Sequence, residues 1–172
     1  MLSRADISEI IQETAIVKTI NRLPPQELLS MCTTFSYELA EELKEKGIKL
    51  VLATSSTSKF HTYTQYMAQE ELLIIDVTLR QFIPDYDAIF IGTRQELLKA
   101  CTSFPLQHSS VKEYPFAAFM MIWGKKGEGI GYNDHALLQQ WQLLEKQMGV
   151  KEIENPYAHP QYGPPITLRP LP

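Results

Sequence analysis

Lys59-Phe60-His61-Thr62-Tyr63-Thr64-Gln65-Tyr66-Met67-Ala68-Gln69-Glu70-Glu71-Leu72-Leu73-Ile74-Ile75-Asp76-Val77-Thr78 is the stretch on which the reading of this chain turns. Its first half alternates aromatic and β-branched residues and its second is a short apolar run, which predicts two strands joined by the polar segment from Ala68 to Glu71. The pleat then decides which side chains meet. A tight turn at Ala68-Gln69 sets His61 directly opposite Asp76, and a turn at Gln69-Glu70 makes them diagonal neighbours on one face. A loop longer by one residue puts them on opposite faces. Asp76 is the local anomaly, because a carboxylate inside Leu-Leu-Ile-Ile-Asp-Val is costly to bury unless something pairs with it. A histidine one strand away is a suitable partner, since a carboxylate fixes the imidazole tautomer and stabilises its charged form. The competing reading places Asp76 at the strand end, capping a turn at Val77-Thr78, with His61 half exposed.

Immediately upstream, Ser30 to Gly47 has helical periodicity. Cys32, Phe35, Leu39 and Leu43 fall on one stripe, and Glu38, Glu41, Glu42, Lys44 and Glu45 take the other side. Ser30 is the expected N-cap and Gly47 the expected C′ residue, which puts Cys32 in the first turn. Unsatisfied N–H groups and the positive end of the helix dipole favour an anion there, so a thiol beside an imidazolium would ionise at neutral pH. Two alternatives stand beside this one. Cys32 is also readable as a core residue on the apolar stripe, the more common fate of a free cysteine. Pro24-Pro25 also reads as a helix start, and a helix running unbroken from there would carry Cys32 two turns in and out of the dipole's reach.

Cys32 with Ser36, Leu39, Leu43 and Gly47, then His61, then Ile75-Asp76-Val77-Thr78 and Gln81-Phe82, resembles the core of the papain-like and transglutaminase-like cysteine enzymes of bacterial Cys-His-Asp type, over about residues 26 to 92. The resemblance implies an α+β fold, with N-terminal helices and the Cys at a helix start packed on an antiparallel sheet that carries the His and the Asp. It implies that Cys32 is the nucleophile, His61 the general base and acid, and Asp76 the orienting carboxylate. Gln26, six residues before Cys32, stands where papain-like peptidases hold an oxyanion glutamine. Tyr63 and Gln81 are the further substrate or oxyanion candidates. The chemistry implied is attack on a carboxamide or peptide bond through a Cys32 thioester, without cofactor or metal. Hydrolysis, as in a peptidase or protein glutamine deamidase, is placed ahead of transfer to an amine by analogy. The substrate would be a protein or peptide, or a small acyl or amine compound. The rival class is a binding protein that keeps the fold without the chemistry.

The remaining chain sets bounds. At 172 residues one domain is expected, read as 1–154, with 155–172 as a proline-rich extended tail in which Tyr157, His159 and Tyr162 are anchors for docking on the body. A net charge of -4 with no dense Lys/Arg cluster argues against a nucleic-acid partner. No run approaches the ~20 apolar residues of a membrane helix, and the N-terminus lacks an apolar signal core, so a cytoplasmic location is expected, with export by a route lacking a cleavable signal left open. Cys32 and Cys101 are too far apart and too differently placed to read as a disulfide framework, and Cys101 is read as structural. His108, His135 and His159 lack the spacing of a metal site.

Four further segments are read from periodicity and turn chemistry. Residues 3 to 22 form an amphipathic segment with Ile7, Ile10, Ile11 and Ala15 as its stripe, and Lys49 to Thr54 a strand followed by a polar loop at Ser55 to Ser58. Thr93-Arg94-Gln95-Glu96 reads as a capping box. Phe116 to Trp123 is either a buried strand or part of a helix, with Gly124, Gly127, Gly129 and Gly131 in a loop after it. Asn133-Asp134 is expected to cap a helix that buries Leu137, Leu138, Trp141, Leu144 and Met148.

Overall fold

The hairpin turns at Gln69-Glu70, with Thr64 opposite Ile75 and Ala68 opposite Glu71, so His61 and Asp76 are diagonal rather than directly opposed. Gln69 takes the turn in the left-handed region, at φ 54°. The two strands, β2 (Thr62–Ala68) and β3 (Glu71–Asp76), lie in a sheet with β1 (Val51–Ser55), β4 (Phe90–Gly92), β5 (Val111–Pro115) and β6 (Lys151–Ile153). Its order is β4-β3-β2-β1-β5-β6 and every pairing is antiparallel. The two outermost strands are three residues long, and Lys151 and Glu152 are exposed on one of them. The computed structural model describes residues 2–55, 61–83, 86, 89–100, 111–127 and 135–157.

Among the described residues six helices complete an α+β architecture: α1 (Arg4–Gln12), α2 (Ala15–Ile20), α3 (Cys32–Glu45), α4 (Arg94–Ala100), α5 (Phe116–Gly127) and α6 (His135–Gln147). Alternation along the strands sorts the core into two layers. The row Tyr114, Leu52, Thr64 and Ile75 runs across four strands on one face. Against that face pack Ile7 and Ile11 of α1, Val17 and Ile20 of α2, Leu39 and Leu43 of α3, and Phe119 and Ile122 of α5. The opposite row, with Ala53, Tyr63, Ile74, Phe90 and Val111, packs against Leu97 of α4, Leu79 and Tyr157. His61 and Asp76 share the parity of this second face, whereas Cys32 belongs to a helix of the first. The three converge at the end of the sheet where β2 begins and β3 finishes.

Several local expectations change. The N-terminal segment is two helices, because Thr14 turns its hydroxyl back onto Ile11 O at 2.6 Å and caps α2 by accepting from Val17 N–H; Ala15 is exposed as a result. The Pro24-Pro25 start yields only a 3-10 turn at Pro25–Leu28, and α3 begins afresh at Cys32. Ser30 lies in the left-handed region at φ 65° and caps nothing; the N-cap is Met31, without a side-chain bond. Gly124 and Gly127 lie inside α5 rather than in a loop. Pro115 has no N–H to extend the ladder, and Ala, Phe and Met after it favour a helix. The Thr93 capping box closes reciprocally, with Thr93 N–H on Glu96 Oε2 at 2.7 Å and Glu96 N–H on Thr93 Oγ1 at 3.3 Å.

Leu144 on α6 and Met148 just past its end are partly buried against the first layer. The side chains of Leu137, Leu138 and Trp141 lie outside the described residues, as do Cys101, the cap at Asn133-Asp134, the glycines beyond Gly127, the loop at 56–60, and the tail from 158 with His159 and Tyr162.

Helix α3 ends in a Schellman motif, Ile48 N–H bonding Leu43 O and Gly47 N–H bonding Lys44 O, both at 2.9 Å, with Gly47 at φ 79°. A Cβ at Gly47 would meet no atom within 4 Å, so only the backbone conformation opposes a side chain there. Gly47→Ala is expected to lower the free energy of unfolding by about 1 kcal/mol, measured by urea denaturation; an unchanged midpoint would contradict this account of the helix end.

Candidate active site

Helix α3 is pinned to the start of β2 by hydroxyls. Thr33 Oγ1 and Thr54 Oγ1 each lie 3.0 Å from Thr62 Oγ1, and Ser36 Oγ donates to Thr62 O at 3.1 Å. Three elements, α3, β1 and β2, are thus tied at one threonine adjacent to His61. The tie sets the Cys32 sulfur in hydrogen-bond contact with the His61 imidazole, and the sulfur also accepts from Thr62 N–H. Cys32 is the first residue of its helix, and the missing side-chain cap leaves the first-turn N–H groups unanswered by any side chain.

On the other side of the ring, His61 Nε2 bonds Asp76 Oδ2 at 2.7 Å. With Nε2 so engaged, Nδ1 is the nitrogen left for the sulfur. Asp76 is fully buried, and both of its oxygens are used. Oδ1 accepts from Thr78 N–H at 2.9 Å and from Thr78 Oγ1 at 3.3 Å, while Oδ2 accepts from His61 and from the Tyr157 hydroxyl. The turn cap and the histidine partner, alternatives at the level of sequence, are both present, one on each oxygen. His61 itself is 1% exposed. Phe82 and Tyr157 meet its ring edge-on, with centroids at 5.0 and 5.5 Å, and Tyr63 stacks on it at 6.2 Å.

The electrostatics follow from this enclosure. Burial alone would neutralise His61, but the charge and hydrogen bond of Asp76, with a smaller contribution from Cys32, outweigh it and push the imidazole up to about 9. Burial likewise pushes the Cys32 thiol up; the hydrogen bond and charge of His61 and the Thr62 N–H bring it back below its ordinary value, against the opposing charge of Asp76. The helix start acts in the same direction. Asp76, raised by burial, is held below the usual carboxylate range by the charge and bond of His61, then by Tyr157 and Thr78. The arrangement favours thiolate beside imidazolium.

Of the other sequence candidates, Gln81 places its Nε2 3.5 Å from His61 Nδ1 and 3.1 Å from Thr78 Oγ1, beside the reacting side of the ring. Tyr63 is buried on the far side, its hydroxyl oxygen without a hydrogen-bond partner and its ionisation pushed well above 10 by burial, Glu113 and Asp76. Gln26 is exposed on the 3-10 turn at Pro25–Leu28, with no hydrogen bond to the three central residues. Sequence reasoning missed the part played by Tyr157, treated there as a docking anchor. Asn155-Pro156 signals a turn, and Tyr157 N–H does bond Asn155 Oδ1 at 3.0 Å, but nothing local says where that turn lands. Among the described residues no three His, Cys, Asp or Glu side chains are grouped to hold a metal ion, and no helix is long and apolar enough to cross a membrane.

No family model, curated protein or solved structure matches this chain.

Proton linkage makes the pairing testable. Between pH 6.5 and about 9 the folded imidazole keeps a proton that the unfolded one has lost, so by itself it makes stability fall as pH rises. In the part of that window above the folded thiol's pKa, the folded thiolate has lost a proton that the unfolded thiol, near 9.0, still holds, and stability rises. In the intact protein these slopes oppose one another. Cys32→Ala removes the second and leaves the first, sustained mainly by Asp76. Its stability is expected to decline from pH 6.5 towards 9 by up to about 1.4 kcal/mol per pH unit, more steeply than wild type. Urea denaturation across that pH range checks this, and parallel profiles for the two proteins would count against a charged pair.

Proposed function

We propose that this protein is a thiol enzyme of the papain-like or transglutaminase-like kind, which attacks a carboxamide or peptide bond through a thioester on Cys32 and hydrolyses it, as a cysteine peptidase or protein glutamine deamidase does. The observation that carries the reading is the unbroken chain of contacts from Cys32 at a helix start, through His61, to the buried carboxylate of Asp76. The thiolate sulfur attacks the carbonyl carbon and the carbon–nitrogen bond breaks. The electron pair leaves on nitrogen, which takes the imidazolium proton. Water then attacks the thioester, giving its proton back to His61 as the sulfur departs. Donors for the developing oxyanion are at hand in the N–H groups of the first turn of α3, with the Gln81 amide nearby. An amine in place of water gives transglutaminase-like or small-amine transfer by the same first step.

One observation favours the rival reading of a binding protein. Cys32 is 3% and His61 1% exposed, so little of either meets solvent.

Iodoacetamide separates the two. At pH 6 to 7 Cys32 is expected to alkylate faster than a simple thiol, and Asp76→Asn to slow this at least tenfold by releasing the imidazole tautomer. Wild-type labelling at or below the rate of a simple thiol would sink the enzyme reading. Release of ammonia from a glutamine-containing peptide identifies deamidation, chain cleavage identifies peptidase activity, and incorporation of a primary amine such as putrescine identifies transfer.

A further inference from the structure

Tyr157 is 2% exposed, and its position is over-determined. The Asn155 side chain fixes its backbone N–H, and its ring meets His61 and Tyr63 edge-on at 5.5 and 5.4 Å. Packing of that kind needs only a phenyl ring. A buried hydroxyl needs a hydrogen-bond partner as well, and the partner here is Asp76 Oδ2, with the phenol oxygen also 3.4 Å from His61 Nε2. We propose that Tyr157 is a positioning residue of the thiol site: it divides one oxygen of Asp76 between two donors, its own O–H and His61 Nε2–H, and thereby sets how firmly the imidazole holds the proton it must give up. This rests on the thiol-enzyme reading above and adds to it a regulator of proton release.

The chemistry gives the role its purpose. When the thioester forms from an amide, the imidazolium must pass its Nδ1 proton to the departing nitrogen. A carboxylate committed wholly to Nε2–H holds the imidazolium charged and resists that transfer, and one already satisfied in part by a phenol resists it less. Among the described residues, the titratable groups facing the ring are Cys32 from α3, Asp76 from β3, Tyr63 from β2 and Tyr157 itself. Of these only Tyr157 donates to the oxygen that His61 uses. The role is separable from catalysis by Asp76, because Thr78 continues to hold Oδ1 when the phenol is removed.

Tyr157→Phe keeps the ring and deletes the donor. In the full-length protein the His61 titration, followed by NMR at its Cε1–H, is expected to move upward from the wild-type midpoint by the equivalent of at least about threefold in proton affinity. Acylation by a p-nitroanilide, whose leaving nitrogen must be protonated, should fall about threefold to tenfold more than acylation by the matching p-nitrophenyl ester, which needs no proton. Site-specific 3-fluorotyrosine at position 157, a stronger donor of the same shape, should move the midpoint downward, and it provides the reading if Tyr157→Phe fails to fold. An unmoved midpoint in the folded variants, or equal losses on the two acyl donors, overturns this role. Wild-type Cys32 labelling as an ordinary thiol overturns the enzyme reading instead, and the NMR titration still decides what Tyr157 does to His61.

Discussion

A carboxylate wholly withdrawn from water, at the inner end of an apolar strand, is the constraint around which this end of the molecule is built. Left alone, Asp76 would cost several kcal/mol or take up a proton. It does neither, because four donors surround it, two from Thr78 and one each from His61 and Tyr157. Together they fix three parts of the chain: the turn after β3, the residue ahead of β2, and the segment that follows β6. The ion thus acts as a geometric hub, and the orientation of His61 is its most consequential product.

The second requirement is that a helix on the opposite layer deliver a thiol to that ring. Hydrophobic burial alone would seat α3 loosely along its axis, since Leu39 and Leu43 can slide against an apolar sheet at small cost. Directional bonds supply the register. Thr62 meets Thr33 at its hydroxyl and Ser36 at its carbonyl, so a displacement of the helix by one residue would break both bonds at once, while Thr54 of β1 holds the same hydroxyl in place. At the other end of the helix the Schellman turn at Gly47 leads the chain into Ile48 and so to β1. The thiol is placed by polar contacts at one end and by a backbone turn at the other.

Part of this arrangement is legible in residue order, and the rest is not, for physical reasons. Strand alternation in Thr62 to Gln65, the apolar run to Asp76, and the helical stripe through Cys32, Phe35, Leu39 and Leu43 are local signals of the hairpin and of α3, whereas β5 and β6 of the six-stranded sheet are short and lie outside the strands expected from sequence. The hairpin register is open in the sequence because neither Ala68-Gln69 nor Gln69-Glu70 carries a turn-forming glycine or asparagine; Gln69 nonetheless takes the left-handed conformation that the tight turn requires. Ser30 has the chemistry of a cap, yet the link from the preceding 3-10 turn forces it to φ 65° and out of that role. Tyr157 was legible as an aromatic in a proline-rich segment but not as a partner of Asp76, 81 positions away, because a contact of such separation leaves no periodicity in sequence. The Cys32, His61 and Asp76 order is legible because an aspartate in an apolar run demands a partner, whereas a phenol at the head of a proline-rich stretch does not.

The sheet also tapers. Its two margins are strands of three residues, and one of them turns a lysine and a glutamate outward to solvent. A neighbouring molecule seeking to add its own strand at either margin finds a ladder too short to repay the ordering of its chain, and at one of them a pair of charges it would have to strip of water. Lateral polymerisation through these borders is therefore discouraged by the same brevity that ends the fold.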